Sequence, residues 1–326
     1  MQRFVTLLCC GLLLGCNTST TPEPKSVTLA LGDLNRCQNY SGLPPEWGKA
    51  PYAGMQYIAA GEFTLGSNLA YADERNFGTP KRVVAAFWMD QTEVTVAQFA
   101  QFVAATGYIT DAEQQQAAAV FSPDPKQPKD WWQLKSGYSW KMPHGPQGQP
   151  AAMHEAVRFV TKNDAEHYAL WLGHDLPSEI EWEYAAKAQD QQDHDLKHEP
   201  QDHTQRPTAN YWQGDFPFHN RAEDHFADVA PVGCFAANSF GLYDMIGNVW
   251  EWTQSPYQGA HDQHMGNYQQ LRQQQRSGTH YVIKGGSFLC ASQYCARYRN
   301  SSRHPQEFDL ATSHVGFRTI VRVPHT

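Results

Sequence analysis

Two cysteines near the C-terminal end, Cys290 and Cys295, stand five positions apart in the stretch Gly285-Gly286-Ser287-Phe288-Leu289-Cys290-Ala291-Ser292-Gln293-Tyr294-Cys295. No regular element can bring them together. An offset of five puts two side chains on opposite faces of a strand and well apart around a helix, so a meeting requires the chain to turn between them, at Ser292-Gln293. A pair that meets is a disulfide or a two-sulfur metal site; otherwise the two are unpaired thiols. Soft thiolates with no His or carboxylate at ligand spacing suit Cu(I), whereas zinc would want four nitrogen or sulfur ligands that the segment does not offer. Spacing alone leaves the three readings open.

The N-terminus bears on where such chemistry takes place. Met1-Gln2-Arg3 is a short basic start, and Phe4 to Leu14 is an apolar run too short to span a bilayer as a stable helix. The run ends in Leu13-Leu14-Gly15-Cys16, which resembles a bacterial lipoprotein signal with its lipobox, the alternative being an ordinary secretory signal. The resemblance implies cleavage before Cys16, a lipid on Cys16 and the loss of Cys9 and Cys10. Asn17 to Ser26 are Thr/Pro/Ser-rich and read as a flexible tether. The expected organisation is a signal over 1–15, an anchor and tether over 16–36, and one domain over 37–326, extracytoplasmic and held at a membrane through Cys16. Asn17 does not resemble the Asp-type inner-membrane retention signal, which favours the periplasmic side of the outer membrane.

Outside the cytosol disulfides persist, and four cysteines would remain in the mature chain: Cys37, Cys234, Cys290 and Cys295. They allow three pairings. A Cys37–Cys234 bridge would leave the later pair to itself; the other reading has Cys37 and Cys234 as independent thiols. The net charge of −8 argues against nucleic acid or anionic lipid as partners, since either wants a basic face. The 41% hydrophobic content supports a substantial core, and 10 Trp, 24 Gly and 20 Pro predict a loop-rich fold with cores built on aromatics.

Periodicity predicts one α+β unit. Gly61 to Gly66 alternates like a short strand, and Val83 to Met89 reads as a second, more buried one. Thr95 caps a helix with Val96, Phe99, Phe102 and Val103 on one face, stopped by Gly107. Asn163 with Glu166 opens a helix ending at Gly173, and Ser178 with Glu181 forms a capping box ahead of Trp182 and Tyr184. From Gln189 to Arg206 the chain is Gln/Asp/His/Lys-rich and reads as a solvated loop, its His194, His198 and His203 solvated rather than metal-binding. Tyr281 to Lys284 and Phe317 to Val323 are late strands bracketing the cysteine segment.

These landmarks resemble one family along nearly the whole domain. Gly61-Glu62-Phe63-Thr64-Leu65-Gly66, Phe87-Trp88-Met89-Asp90-Gln91-Thr92-Glu93-Val94-Thr95 and Leu176-Pro177-Ser178-Glu179-Ile180-Glu181-Trp182-Glu183-Tyr184 follow the order seen in formylglycine-generating enzymes and their sulfatase-modifying-factor relatives. Asn238 to Trp252, containing Gly247-Asn248-Val249-Trp250-Glu251-Trp252, and the closing Val315-Gly316-Phe317-Arg318 complete the likeness. The last two motifs occur across relatives with different jobs; the Gly-Gly-Ser-x-x-Cys-x4-Cys segment separates the formylglycine generators, and residues 285–295 carry it.

The resemblance implies a C-type-lectin-like, loop-rich α+β fold and a copper-dependent oxidase. Its relatives convert the cysteine of a sulfatase's Cys-x-Pro-x-Arg segment to Cα-formylglycine with O2 as co-substrate. Cys290 and Cys295 would be the Cu(I) ligands, near-linear and able to accept a third sulfur from the substrate. Ser287, Trp250 and Tyr294 would line the pocket. Structural Ca2+ is implied at two sets: Asn210, Asp224 and the carbonyls of Tyr211 and Phe226; and Asp244, Glu251 and the carbonyls of Gly247 and Val249. The partners implied are exported sulfatase polypeptides, with the chain itself a monomer. Four positions depart from vertebrate members: Ala291 replaces a His, His314 an Asn, and Asn300 and Thr319 stand where disulfide cysteines occur. Two other functions stay in view: an oxidase of the superfamily acting on a small molecule, and a non-catalytic lectin-like binding module locked by a Cys290–Cys295 disulfide.

Overall fold

Capping signals and aromatic spacing lay down the frame. The computed structural model describes residues 29–75, 81–126, 131–188, 196, 198–259 and 280–324. The expected signal, Cys16, the tether through residue 28 and His194 lie outside them. The elements in order are α1 (Leu34–Gln38), β1 (Met55–Ile58), β2 (Gly61–Phe63), β3 (Arg82–Val84), β4 (Phe87–Asp90), α2 (Val96–Thr106), α3 (Asp111–Gln115), β5 (Ala118–Phe121) and β6 (Trp132–Lys135). Then come α4 (Lys162–Leu172), α5 (Glu179–Lys187), β7 (Gly214–Asp215), β8 (His219–Asn220), β9 (Trp250–Pro256), β10 (His280–Lys284), β11 (Arg303–Glu307), β12 (Val315–Gly316) and β13 (Ile320–Arg322). This is the loop-rich α+β arrangement expected from the sequence.

The helix starts obey their caps. Thr95 Oγ1 accepts from Gln98 N at 3.1 Å while Gln98 Oε1 accepts from Thr95 N at 2.9 Å, and Gly107 closes α2 at a left-handed φ of 69°. Ser178 and Glu181 open α5 in the same way. Helix α4 begins two residues earlier than the Asn163–Glu166 pair suggested: Thr161 and Asp164 make the box, and the Asn163 amide donates to Asp111 instead. The Val83 to Met89 run divides at Ala85-Ala86, because β3 pairs with β2 whereas β4 pairs with β1. Val83 faces outward, 76% exposed.

The two larger sheets are ordered β1-β4-β13 and β11-β10-β9-β12, with β9 antiparallel to β10 and parallel to β12, and the second of them lends β9 and β11 side chains to the site. Beneath them Phe99 packs on Trp140, Tyr168 and Phe317 at ring separations of 5.1, 5.8 and 6.4 Å. Such aromatic pairs add about 0.5–1.5 kcal/mol each beyond burial. The late strand Phe317 to Val323 shortens to β13, freeing Arg318 to bury its guanidinium on both oxygens of Glu251 at 2.7 Å. Cys37 in α1 is bridged to Cys234 across a separation of 197 residues. Among the described residues no helix is long and apolar enough to cross a membrane.

Candidate active site

The end of β10 delivers the cysteine segment. Gly285 and Gly286 follow it at φ 92° and 80°, a region that L side chains rarely adopt. A Cβ on Gly286 would lie 2.4 Å from the Arg297 carbonyl oxygen, so only glycine lets the outgoing and returning chains pass. Beyond Ser287 the backbone reverses twice. Cys290 N donates to Ser287 O at 2.9 Å, and Tyr294 N and Cys295 N both donate to Ala291 O, at 3.1 and 2.9 Å. The required turn therefore spans Ala291 to Tyr294, with Ser292-Gln293 at its exposed edge.

The turn brings the cysteines together as free thiols hydrogen-bonded to each other. Their environments differ. Cys290 is 2% exposed, and burial, with Cys295 beside it, pushes its pKa well above the usual thiol range; its sulfur also accepts from Ser287 N at 3.4 Å. Cys295 is held below that range by the hydrogen bond from Cys290 and by the nearby Arg297 charge. Cys295 is thus the sulfur that gives up its proton first, with Cys290 donating to the resulting thiolate.

Both thiols line a cavity of about 540 Å³, and Ser287, Trp250 and Tyr294 line it with them. Trp250, at the start of β9, is a buried wall. Tyr294 is 59% exposed at the mouth, stacked on Phe216 and edge-on to Trp131, both at 4.9 Å. Ser287 Oγ lies 3.1 Å from His314 Nδ1. Burial pushes His314 down to about 3, so this imidazole is neutral at neutral pH. The far wall comes from much earlier in the chain. Tyr71 Oη accepts from Ala296 N at 3.1 Å, and Arg297 spans Asp73 and Glu74 at 3.0 and 2.7 Å.

Tyr71, Trp131, Trp132, Phe216 and His304 also line the cavity and were not singled out from the sequence. No local signal marks them, since each reaches the thiols through long-range packing. His314 was noted only as a departure. Glu199 was assigned to a solvated loop, yet its carboxylate bonds Ser292 in the cysteine turn.

The donor atoms can be tested against the expected metals. Among the described residues no three His, Cys, Asp or Glu gather at one point. Two thiols, Cys290 buried and Cys295 half-buried, without a third ligand suit Cu(I), which is content with two soft donors, and do not suit zinc. At the first calcium set, Asn210 donates to Asp228 O and Asn248 Oδ1, leaving its own buried Oδ1 without a partner. Asp224 accepts from Tyr211 N and Phe226 N, and the Gln213 amide bridges Asp224 and the Tyr211 carbonyl. An orphaned acceptor beside a carboxylate whose pKa burial raises fits a hard cation. At the second set Asp244 accepts from Gly233 N at 2.5 Å, while Glu251 is committed to Arg318 and to Trp182 Nε1. The Gly247 N–H goes to Gly285 O and Val249 is buried beside this pair. The buried carboxylate oxygen left open here belongs to Glu93, which the sequence reading omitted.

Residues 40–323 match the sulfatase-modifying factor enzyme 1-like domain. The chain belongs to that family. It is 34% identical to the bovine (Bos taurus) formylglycine-generating enzyme over 93% of this chain and 84% of that protein. It is 37% identical to the Mycobacterium tuberculosis formylglycine-generating enzyme over 81% and 96%. It is also 33% identical, over 83% and 86%, to the inactive Cα-formylglycine-generating enzyme 2 of Mus musculus. Membership of the sulfatase-modifying factor family therefore does not by itself carry activity. The structure of PvdO from Pseudomonas aeruginosa aligns with a TM-score of 0.56 at 21% identity, over 82% of this chain and 94% of that one, which shows the shared fold.

Proposed function

We propose that this protein is an oxidase that converts the cysteine of a sulfatase's Cys-x-Pro-x-Arg segment to Cα-formylglycine, using copper and O2. The observation that carries the reading is the pair of free thiols at one end of a cavity large enough for a peptide side chain, in a family that contains formylglycine generators.

Cys290 and Cys295 would hold Cu(I), and copper when bound would supply the activation of O2. The rest falls to the chain's own groups. Arg297 favours the Cys295 thiolate, whereas Cys290, whose pKa burial raises, keeps its proton until a bound cation draws it off, with Ser287 N supporting its sulfur. The neutral His314 accepts from, or donates to, Ser287 Oγ and fixes that hydroxyl at the cavity wall. Tyr294, Phe216 and Trp131 offer flat apolar faces at the mouth to a substrate backbone and its proline. Trp250 closes the floor and limits water at the reacting Cβ. Oxidation of the substrate Cβ–S unit gives a thioaldehyde, and its hydrolysis leaves the aldehyde and releases sulfide.

Calcium is proposed at Asn210 and Asp224 as a structural ion, and Cys16 as the lipid anchor that holds a monomer at an extracytoplasmic membrane face. The deciding experiment mixes copper-loaded protein with a Cys-x-Pro-x-Arg peptide in air and follows the peptide by mass. Conversion of thiol to aldehyde is expected. Correctly folded, copper-loaded protein that leaves the thiol untouched would defeat the reading.

A further inference from the structure

We propose that Glu199 is a positioning residue that keeps the turn between Cys290 and Cys295 open as a dithiol. The proposal rests on the reading that this pair is the reactive centre. Glu199 Oε1 accepts from Ser292 Oγ at 2.5 Å, and its Oε2 accepts from the Tyr211 hydroxyl and from Gln201 Nε2, both at 3.1 Å. Ser292 sits inside the turn. Tyr211 is fully buried, and the next residue, Trp212, donates its N–H to the Cys290 carbonyl at 2.9 Å. One carboxylate therefore ties the exposed edge of the turn to the buried segment on which the first cysteine's backbone is already fixed.

The turn's internal bonds meet at Ala291 O and leave Ser292 and Gln293 exposed. Without an outside hold, that edge is free to tighten. A disulfide needs its sulfurs at about 2.05 Å, whereas two sulfurs on one metal ion stand roughly two metal–sulfur bonds of about 2.3 Å apart at most. A latch that resists tightening favours the wider spacing. Hydrogen bonds to an ionised carboxylate are roughly twice as strong as neutral ones, which suits Glu199 to the task.

The test equilibrates the full folded chain with reduced and oxidised glutathione. Dithiol plus oxidised glutathione exchanges with intramolecular disulfide plus two reduced glutathiones, read by thiol labelling and peptide mass. The Cys37–Cys234 peptide serves as the internal control. Glu199→Ala and Ser292→Ala are each expected to shift the equilibrium about tenfold toward the disulfide, about 30 mV, and to weaken Cu(I) binding in competition with a chelator. The double variant should shift no further than either single one, since both remove the same contact. Equilibria within about twofold of the parent, or a shift in Glu199→Ala that Ser292→Ala does not share, would overturn the proposal. The glutathione readout needs neither copper nor peptide, so its outcome is separate from failure of the oxidase reading.

Discussion

The chain holds two cysteine pairs that behave in opposite ways. Cys37 and Cys234, 197 residues apart, are bridged; Cys290 and Cys295, five apart, remain thiols. Nearness in sequence does not decide oxidation. The distant pair lies where packing brings α1 against the loop before Asn238, with both cysteines buried. The near pair faces a cavity, with a backbone N–H on one sulfur and a guanidinium near the other, both of which favour the reduced form. The first pair is a staple and the second a reactive centre.

The comparison breaks most sharply at the near pair. Cys290→Ser and Cys295→Ser should each lower kcat/KM for the peptide by at least about 10³-fold, because residues acting as one unit are lost together. The melting temperature should hardly move. A variant that melts several degrees lower yet converts peptide at the parent rate would make the near pair the staple.

Removing the distant bridge should do the reverse. Replacing Cys37 and Cys234 together with Ala should cost about 5 kcal/mol, the loop-entropy figure for so long a closure, and lower the melting temperature by roughly 10 °C. Peptide conversion well below the transition should persist. Calorimetry beside the peptide assay reads both.

A second staple is expected at Asn210 and Asp224. Excess calcium over a chelator should raise stability by about 2.7 kcal/mol at a hundred times the dissociation constant, and Asn210→Ala should erase the difference. Equal melting curves with and without calcium would reassign Asn210 Oδ1 as an orphan the fold tolerates.

The smallest effect concerns His314. Its folded pKa is depressed to about 3 against an ordinary 6.5, so below pH 6.5 the unfolded chain binds the extra proton. The stability tied to this neutral imidazole is complete above about pH 6.5 and is lost as the pH falls toward 3, by about 1 kcal/mol once solvent screening at this half-buried ring is allowed for. Urea midpoints at neutral and acid pH should converge in His314→Asn. An unchanged pH slope in that variant would remove His314 from the account.

Local chemistry was readable; assembly was not. The boxes at Thr95 and Ser178 stand where their residues announce them, because a cap is decided within four residues. Helix α4 shows the limit of such reading: Thr161–Asp164 and Asn163–Glu166 are overlapping i, i+3 pairs, and the Asp111 carboxylate, some 50 positions away, draws Asn163 off. The Cys290–Cys295 turn was legible from spacing. Tyr71 and Trp131 were not, because their part in the cavity depends on contacts that no local pattern encodes. Glu199 was hidden by composition, one acid among many in a polar stretch, distinguished only by what it touches.

Tyr71 and its neighbours Asp73 and Glu74 meet the cysteine segment across more than 220 positions of chain. A ribosome that has emitted the first half of the sequence has made a wall with nothing to enclose. The thiols are synthesised more than 200 residues after Tyr71, and until they dock against it they are two ordinary cysteines open to any oxidant or metal. The capacity to react thus comes late and all at once. A nascent or half-unfolded chain has no diluted version of the activity.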